Sequence, residues 1–172
     1  MRWIPAALLC ATLFLACSSS RVGQTPPETR PTADPIAPGN KEVVLRLYEE
    51  YFNRRQASIL AELVAPEYVN TATGKTGVEG MASSAAFLRQ TFGDDMRFTL
   101  EDVVAGGDRV VVRWTLRGRH LGDFRGAAPT GRPVELPGIV IYRLSDGRIA
   151  ESWIQMGAPR PPGGRQSPGR DR

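Results

Sequence analysis

Gly106-Gly107-Asp108, Arg109-Val-Val-Val-Arg-Trp-Thr-Leu-Arg-Gly-Arg-His120, Gly122-Asp-Phe-Arg-Gly-Ala-Ala-Pro-Thr-Gly131, Val134 to Leu144, Asp146-Gly147 and Arg148 to Trp153 follow one another as alternating turn signals and β-rich segments. Gly-Gly and Asp-Gly between such segments match the right-handed twist of a hairpin. The Gly/Pro-rich stretch Gly122–Gly131 reads as a longer loop between two long strands. This half of the chain is therefore predicted to be an antiparallel sheet.

Working outward, the two-residue period continues toward the N-terminus. Met96, Phe98, Leu100 and Val104 alternate with polar residues, as do Val110, Val112, Trp114 and Leu116. Before Met96 the period is helical. Val44, Leu47, Tyr48 and Tyr51, widened by Phe52, form one stripe of a helix that Asn40 is placed to cap. A short helix follows, with Ser58 as cap, Ile59, Leu60 and Leu63 as its apolar face, and Pro66 as its stop. Tyr68-Val69-Asn70 reads as a short strand, and Met81, Ala85, Leu88 and Phe92 as the face of a third helix ended by Gly93-Asp94-Asp95. Helices first and a long sheet after them is an α+β order, and the expected packing lays the helices on the concave face of a curved antiparallel sheet.

The two ends have a different composition. Met1 to Cys17 carries one charge, Arg2, before an apolar stretch from Ile4 to Leu15 that is too short for a stable membrane span and has the form of an export signal. Its end, Phe14-Leu15-Ala16-Cys17-Ser18, resembles the cleavage box of bacterial lipoproteins, which implies lipidation at Cys17 and a cell-envelope location; Ser18 resembles the residue found in lipoproteins bound for an outer membrane. An ordinary signal peptide cut after a small residue is the alternative. Residues 18–39 are a Pro/Ser/Thr-rich linker unable to bury enough apolar surface to order itself, and residues 158–172 are a basic Pro/Gly/Arg tail of the same kind. The expected domain is residues 40–157.

Placing the charges removes one function class. The chain has a net charge of +4, yet residues 40–157 carry 15 basic and 15 acidic side chains, so the excess lies at the ends. A phosphate-tracking surface on the domain is not indicated, and no nucleic-acid partner is expected. Both cysteines precede the domain, which argues against a disulfide or Cys-based metal site within it. With a single histidine and neither a Gly-x-x-x-x-Gly-Lys loop nor a dinucleotide fingerprint, no cofactor and no metal are expected.

Six segments in order, Leu47-Tyr-Glu-Glu-Tyr-Phe-Asn53, Ala65-Pro-Glu-Tyr-Val-Asn70, Val110-Val-Val-Arg-Trp114, Gly118-Arg-His120, Pro129-Thr-Gly-Arg132 and Asp146-Gly-Arg-Ile-Ala-Glu-Ser-Trp153, resemble the SnoaL-like polyketide cyclases (ester cyclases) of the nuclear-transport-factor-2-like superfamily. The resemblance covers residues 40 to 153. It implies a cone-shaped domain with an apolar pocket at its open end, often as a homodimer.

Within that frame His120, at the end of the strand carrying Trp114, is the candidate acid or base. Asp123 is placed to orient it and Asn70 to polarise a carbonyl. Phe52, Trp114, Tyr142 and Trp153 are expected to line the pocket, with Glu151 and Gln155 as polar points beside Trp153. Arg113 has the opposite parity and is expected on the outer or dimer-facing surface. Against this stands a departure: the Gly138-Ile139-Val140-Ile141 stretch, where many relatives show Asp, has none, and Gly157 replaces an acidic residue that often follows the last Trp segment. Three readings stay open: a cyclase or isomerase working by proton transfer, a non-catalytic binder of a small hydrophobic molecule, and a dimerisation module with a filled pocket.

Overall fold

A computed structural model describes residues 39–163. The signal segment with Cys17, the linker through residue 38 and the tail from residue 164 lie outside the described residues. Among the described residues no helix is long and apolar enough to cross a membrane.

The first helix, α1 (Asn40–Arg46), continues without a break into π-helical turns over Leu47–Asn53. Its stripe is buried as expected, from Val44 through Leu47, Tyr48 and Tyr51 to Phe52. Residues four apart share a helix face, and the Tyr48 and Phe52 rings lie 5.3 Å apart on the same side. Asn40 does not cap the helix. Gly39 holds the cap position, and the Asn40 amide instead donates to the Gly107 carbonyl at 3.2 Å, tying the helix to a hairpin turn.

Ser58 also leaves no capping bond; a 3-10 turn over Ala57–Ile59 leads into the single turn α2 (Leu60–Leu63). Pro66 does not end this helix. The chain is already extended at Val64, and Pro66 lies inside β1 (Val64–Asn70), which starts earlier than its sequence suggests. The third helix, α3 (Gly77–Phe92), stops at Gly93, whose φ of 89° suits glycine.

The remaining strands are β2 (Arg97–Gly106), β3 (Arg109–Arg119), β4 (Pro133–Ser145) and β5 (Arg148–Met156). They form antiparallel neighbours in the sheet order β1-β5-β4-β3-β2, with β1 alone running parallel to its partner β5. Asp146 and Gly147, both with positive φ, make the tight turn between β4 and β5. The core fills the space between the inner sheet face, the first helix and α3.

Beside the irregular β1–β5 register between Val64 and Val69, two bulges break the strict alternation of the antiparallel strands. Between Leu100 and Asp102 the β2 register slips by one, so Val103 and Ala105 pack against the core and Val104 is 65% exposed. The same slip occurs in β5 at Ala150, between the pairs Leu144–Ile149 and Arg143–Glu151. An extra residue reverses every side chain beyond it.

Candidate functional site

Between the inner sheet face and the helices lies a cavity of about 310 Å³, near the lower end of typical ligand-pocket volumes. Its floor is Trp114 of β3, Val140 and Tyr142 of β4, and Ile154 and Met156 of β5. Tyr48 and Phe52 come from the first helix, Phe87 and Leu88 from α3, and Phe98 from β2. These rings interlock: Phe98 meets Trp114 edge-on at 4.9 Å and Phe52 at 5.0 Å. Trp114 lies flat over β4 because its cross-strand partner is Gly138, which has no side chain to lift it.

The polar groups are few. Tyr48 and Tyr142 share one hydrogen bond, hydroxyl to hydroxyl, at 3.0 Å. Burial, above all, pushes both phenols well above the usual tyrosine range. Donation from the Trp114 indole N–H toward Tyr48 opposes a small part of that rise, although the contact falls short of full hydrogen-bond geometry. Asn70, almost fully buried, accepts from the Ala72 N–H at 3.0 Å and donates to Ser84 Oγ at 3.3 Å. Its amide thus shapes the β1–α3 turn while forming part of the cavity wall. Lys75 from that turn and Arg125 from the β3–β4 loop bring positive charge to the lining, and Arg125 donates to the Met156 carbonyl at 2.9 Å.

Phe52, Asn70, Trp114 and Tyr142 therefore meet at one cavity, as their positions in the sequence suggest. Trp153, Glu151 and Gln155 do not. The bulge at Ala150 turns them to the outer face, and Ser152, Ile154 and Met156 take the inward row opposite Tyr142, Val140 and Gly138. Trp153 lies under the Arg109 guanidinium at 5.2 Å, and Glu151 accepts from Arg143 at 2.9 Å, a bond that holds its carboxyl below the usual range. Arg113 does lie on the outer face, paired with Asp102.

His120 is buried, as its parity requires, but it stacks on Phe92 and borders a separate cleft formed with residues 127–134 and Pro159–Pro162. The rings of Phe87, Phe124 and Phe92 run from the cavity wall to the histidine. Asp123 is exposed and its carboxylate accepts from the Gly126 N–H at 3.1 Å, a turn-stabilising role. No hydrogen bond joins the two. Among the described residues no carboxylate or imidazole lines the cavity, and no three His, Cys, Asp or Glu side chains gather in a way that could hold a metal ion.

Tyr48, Val140, Ile154 and Met156 are wall residues beyond those expected from the sequence. Tyr48 was legible in the helical stripe; Ile154 and Met156 required knowledge of the bulge.

Residues 42–157 match the family model of the SnoaL-like polyketide cyclases. The chain belongs to the SnoaL-like polyketide cyclase family. It is 30% identical over 131 residues to the aklanonic acid methyl ester cyclase AcmA of Streptomyces galilaeus, covering 69% of this chain and 90% of that protein. Among solved structures it is similar to a SnoaL-like protein from Jannaschia sp. CCS1, with a TM-score of 0.63, 27% identity and coverage of 78% of this chain and 91% of the other. IdmH from Streptomyces antibioticus is 35% identical with a TM-score of 0.57, covering 68% and 91% of the two chains. In this SnoaL-like domain the wall position in the Gly138–Ile141 stretch is held by Val140, an aliphatic side chain.

Proposed function

We propose that this chain is an envelope lipoprotein whose SnoaL-like domain binds a small, ring-bearing, largely apolar molecule. The observation that carries the reading is the cavity itself: aromatic walls, a few hydrogen-bonding groups, and no carboxylate or imidazole among its described lining residues. Such a site offers area and orientation without an evident proton-transfer group. Lys75 and Arg125 favour a ligand with an anionic or strongly polar end facing them.

Native mass spectrometry on the protein purified gently from its host tests this. A co-purifying small molecule that is lost when Trp114 is replaced by Ala supports the reading. An empty protein that also ignores a panel of aromatic and acyl compounds removes it. The anchor is tested separately: Cys17→Ser is expected to abolish fatty-acid labelling and release the protein from the membrane fraction.

The relatives favour a second reading, a cofactor-independent cyclase or isomerase, since the AcmA relative is named an aklanonic acid methyl ester cyclase. The discriminating assay is turnover of aklanonic acid methyl ester and simpler β-keto esters. Binding without turnover supports the binder, and turnover supports the cyclase.

We further propose that two copies associate through the outer sheet face. Val104, Val111, Ile141 and Trp153 form an apolar row across four strands, bordered by the Arg113–Asp102 and Arg143–Glu151 ion pairs.

A further inference from the structure

One end of the cavity holds more hydrogen-bond donors than it uses. Tyr48 and Tyr142 bring two O–H groups and Trp114 one indole N–H, and among the described residues these three side chains make a single hydrogen bond of full geometry, the one between the two phenols. That bond consumes one phenolic proton and leaves the other available, since hydroxyl protons rotate to suit their surroundings. Both tyrosines form cavity wall, and the neighbouring lining residues Val140 and Phe98 offer no side-chain acceptor.

We infer that the Tyr48–Tyr142 pair is a donor site for an oxygen acceptor on the bound molecule, a ring carbonyl or its enolate. The inference rests on the cavity being a ligand site and names what the ligand must carry. An incoming carbonyl takes the spare O–H and leaves the inter-phenol bond intact. An incoming group that can only donate, such as a ring N–H, would occupy a phenol oxygen and leave the spare proton unsatisfied. The surroundings strengthen the donor role: burial keeps both phenols protonated, and an apolar site makes each hydrogen bond electrostatically stronger than in water. A carbonyl held there would be polarised toward its enolate, so the pair would act on bound ligand whether or not turnover follows.

Fluorene and 9-fluorenone test this, being flat three-ring molecules that differ by one carbonyl. With the purified full chain, calorimetric titration is expected to show 9-fluorenone binding about fivefold tighter or more, the worth of one net hydrogen bond. The bound carbonyl stretch should also fall below its frequency in an apolar solvent. Tyr48→Phe and Tyr142→Phe each leave one phenol and should weaken the preference, and the double variant should remove both preference and shift. Tyr68→Phe is the control, since Tyr68 bonds Ser152 at 2.7 Å as a second buried hydroxyl pair and is not part of the cavity wall. Equal affinity for both probes and an unshifted carbonyl would overturn the donor site and leave the cavity reading standing. Binding of neither probe would overturn both. Tighter binding of carbazole, a flat three-ring molecule that can only donate, than of 9-fluorenone would reverse the polarity assigned here. If the double variant does not fold, the infrared shift in the unaltered protein still decides.

Discussion

Gly138 and Trp114 face each other across β4 and β3, and a Cβ on Gly138 would stand 2.5 Å from Cη2 of the indole. The absence of one side chain therefore sets the position of the largest ring in the cavity wall. Gly138→Ala is expected to push Trp114 off the sheet, costing roughly 1–3 kcal/mol of stability through overpacking and weakening ligand binding. Thermal denaturation and titration with 9-fluorenone check both effects; unchanged melting would mean that the indole has room to move.

Alkaline pH should destabilise the domain through its buried phenols. The folded-state values of Tyr48 and Tyr142 are raised, so their contribution is fully present below the ordinary phenol value near 10 and is lost as pH rises through the folded values. In that window the unfolded chain has lost protons that the folded chain keeps. The slope should be about 1.4 kcal/mol per pH unit for each phenol. Urea titrations across the window, repeated with Tyr142→Phe, should show a shallower slope in the variant.

His120→Ala and Asp123→Ala are expected to leave ligand affinity within about twofold of the starting protein, a change under roughly 0.5 kcal/mol, because neither forms cavity wall. His120→Ala should nonetheless lower stability, since it empties a buried stack on Phe92. A large affinity loss in His120→Ala with an intact fold would move the site toward the second cleft.

Ile141→Lys places a charge in the middle of the outer apolar row. Analytical ultracentrifugation should show a dimer before the change and a monomer after it, with the circular dichroism spectrum preserved. A protein that is monomeric from the start at tens of micromolar, well above the dissociation constant of a stable interface, rules out association through this face.

Much of the architecture was legible in the sequence because each element repeats its signal. The stripe from Val44 to Phe52 and the alternation from Val110 to Leu116 each place several apolar residues in agreement, and the structure buries them. The failures come from single residues. Glu101 and Ala150 are extra positions in β2 and β5, and nothing in their own chemistry marks them as bulges. Each reverses the parity downstream, which is why Val104 and Trp153, both read as inward, end on one outer row. His120 shows a different limit. Its parity was right, but parity gives a face of the sheet, and which of two concavities lies at that end of the strand depends on the rings of Phe92 and Phe124 packed between them.

The parallel pairing of β1 with β5 bears on how the chain acquires its shape. Val64 is the register partner of Ile149, so a strand made early finds its neighbour only when the last strand has been made. Every other strand pair is formed by consecutive segments and can close as soon as its second member appears. The β1 edge is thus the latch of the domain: a growing chain that stops before Arg148 has no place to set β1, and closure waits for a contact of long sequence separation, the slow kind. Vectorial synthesis leaves this half of the core open until its final step.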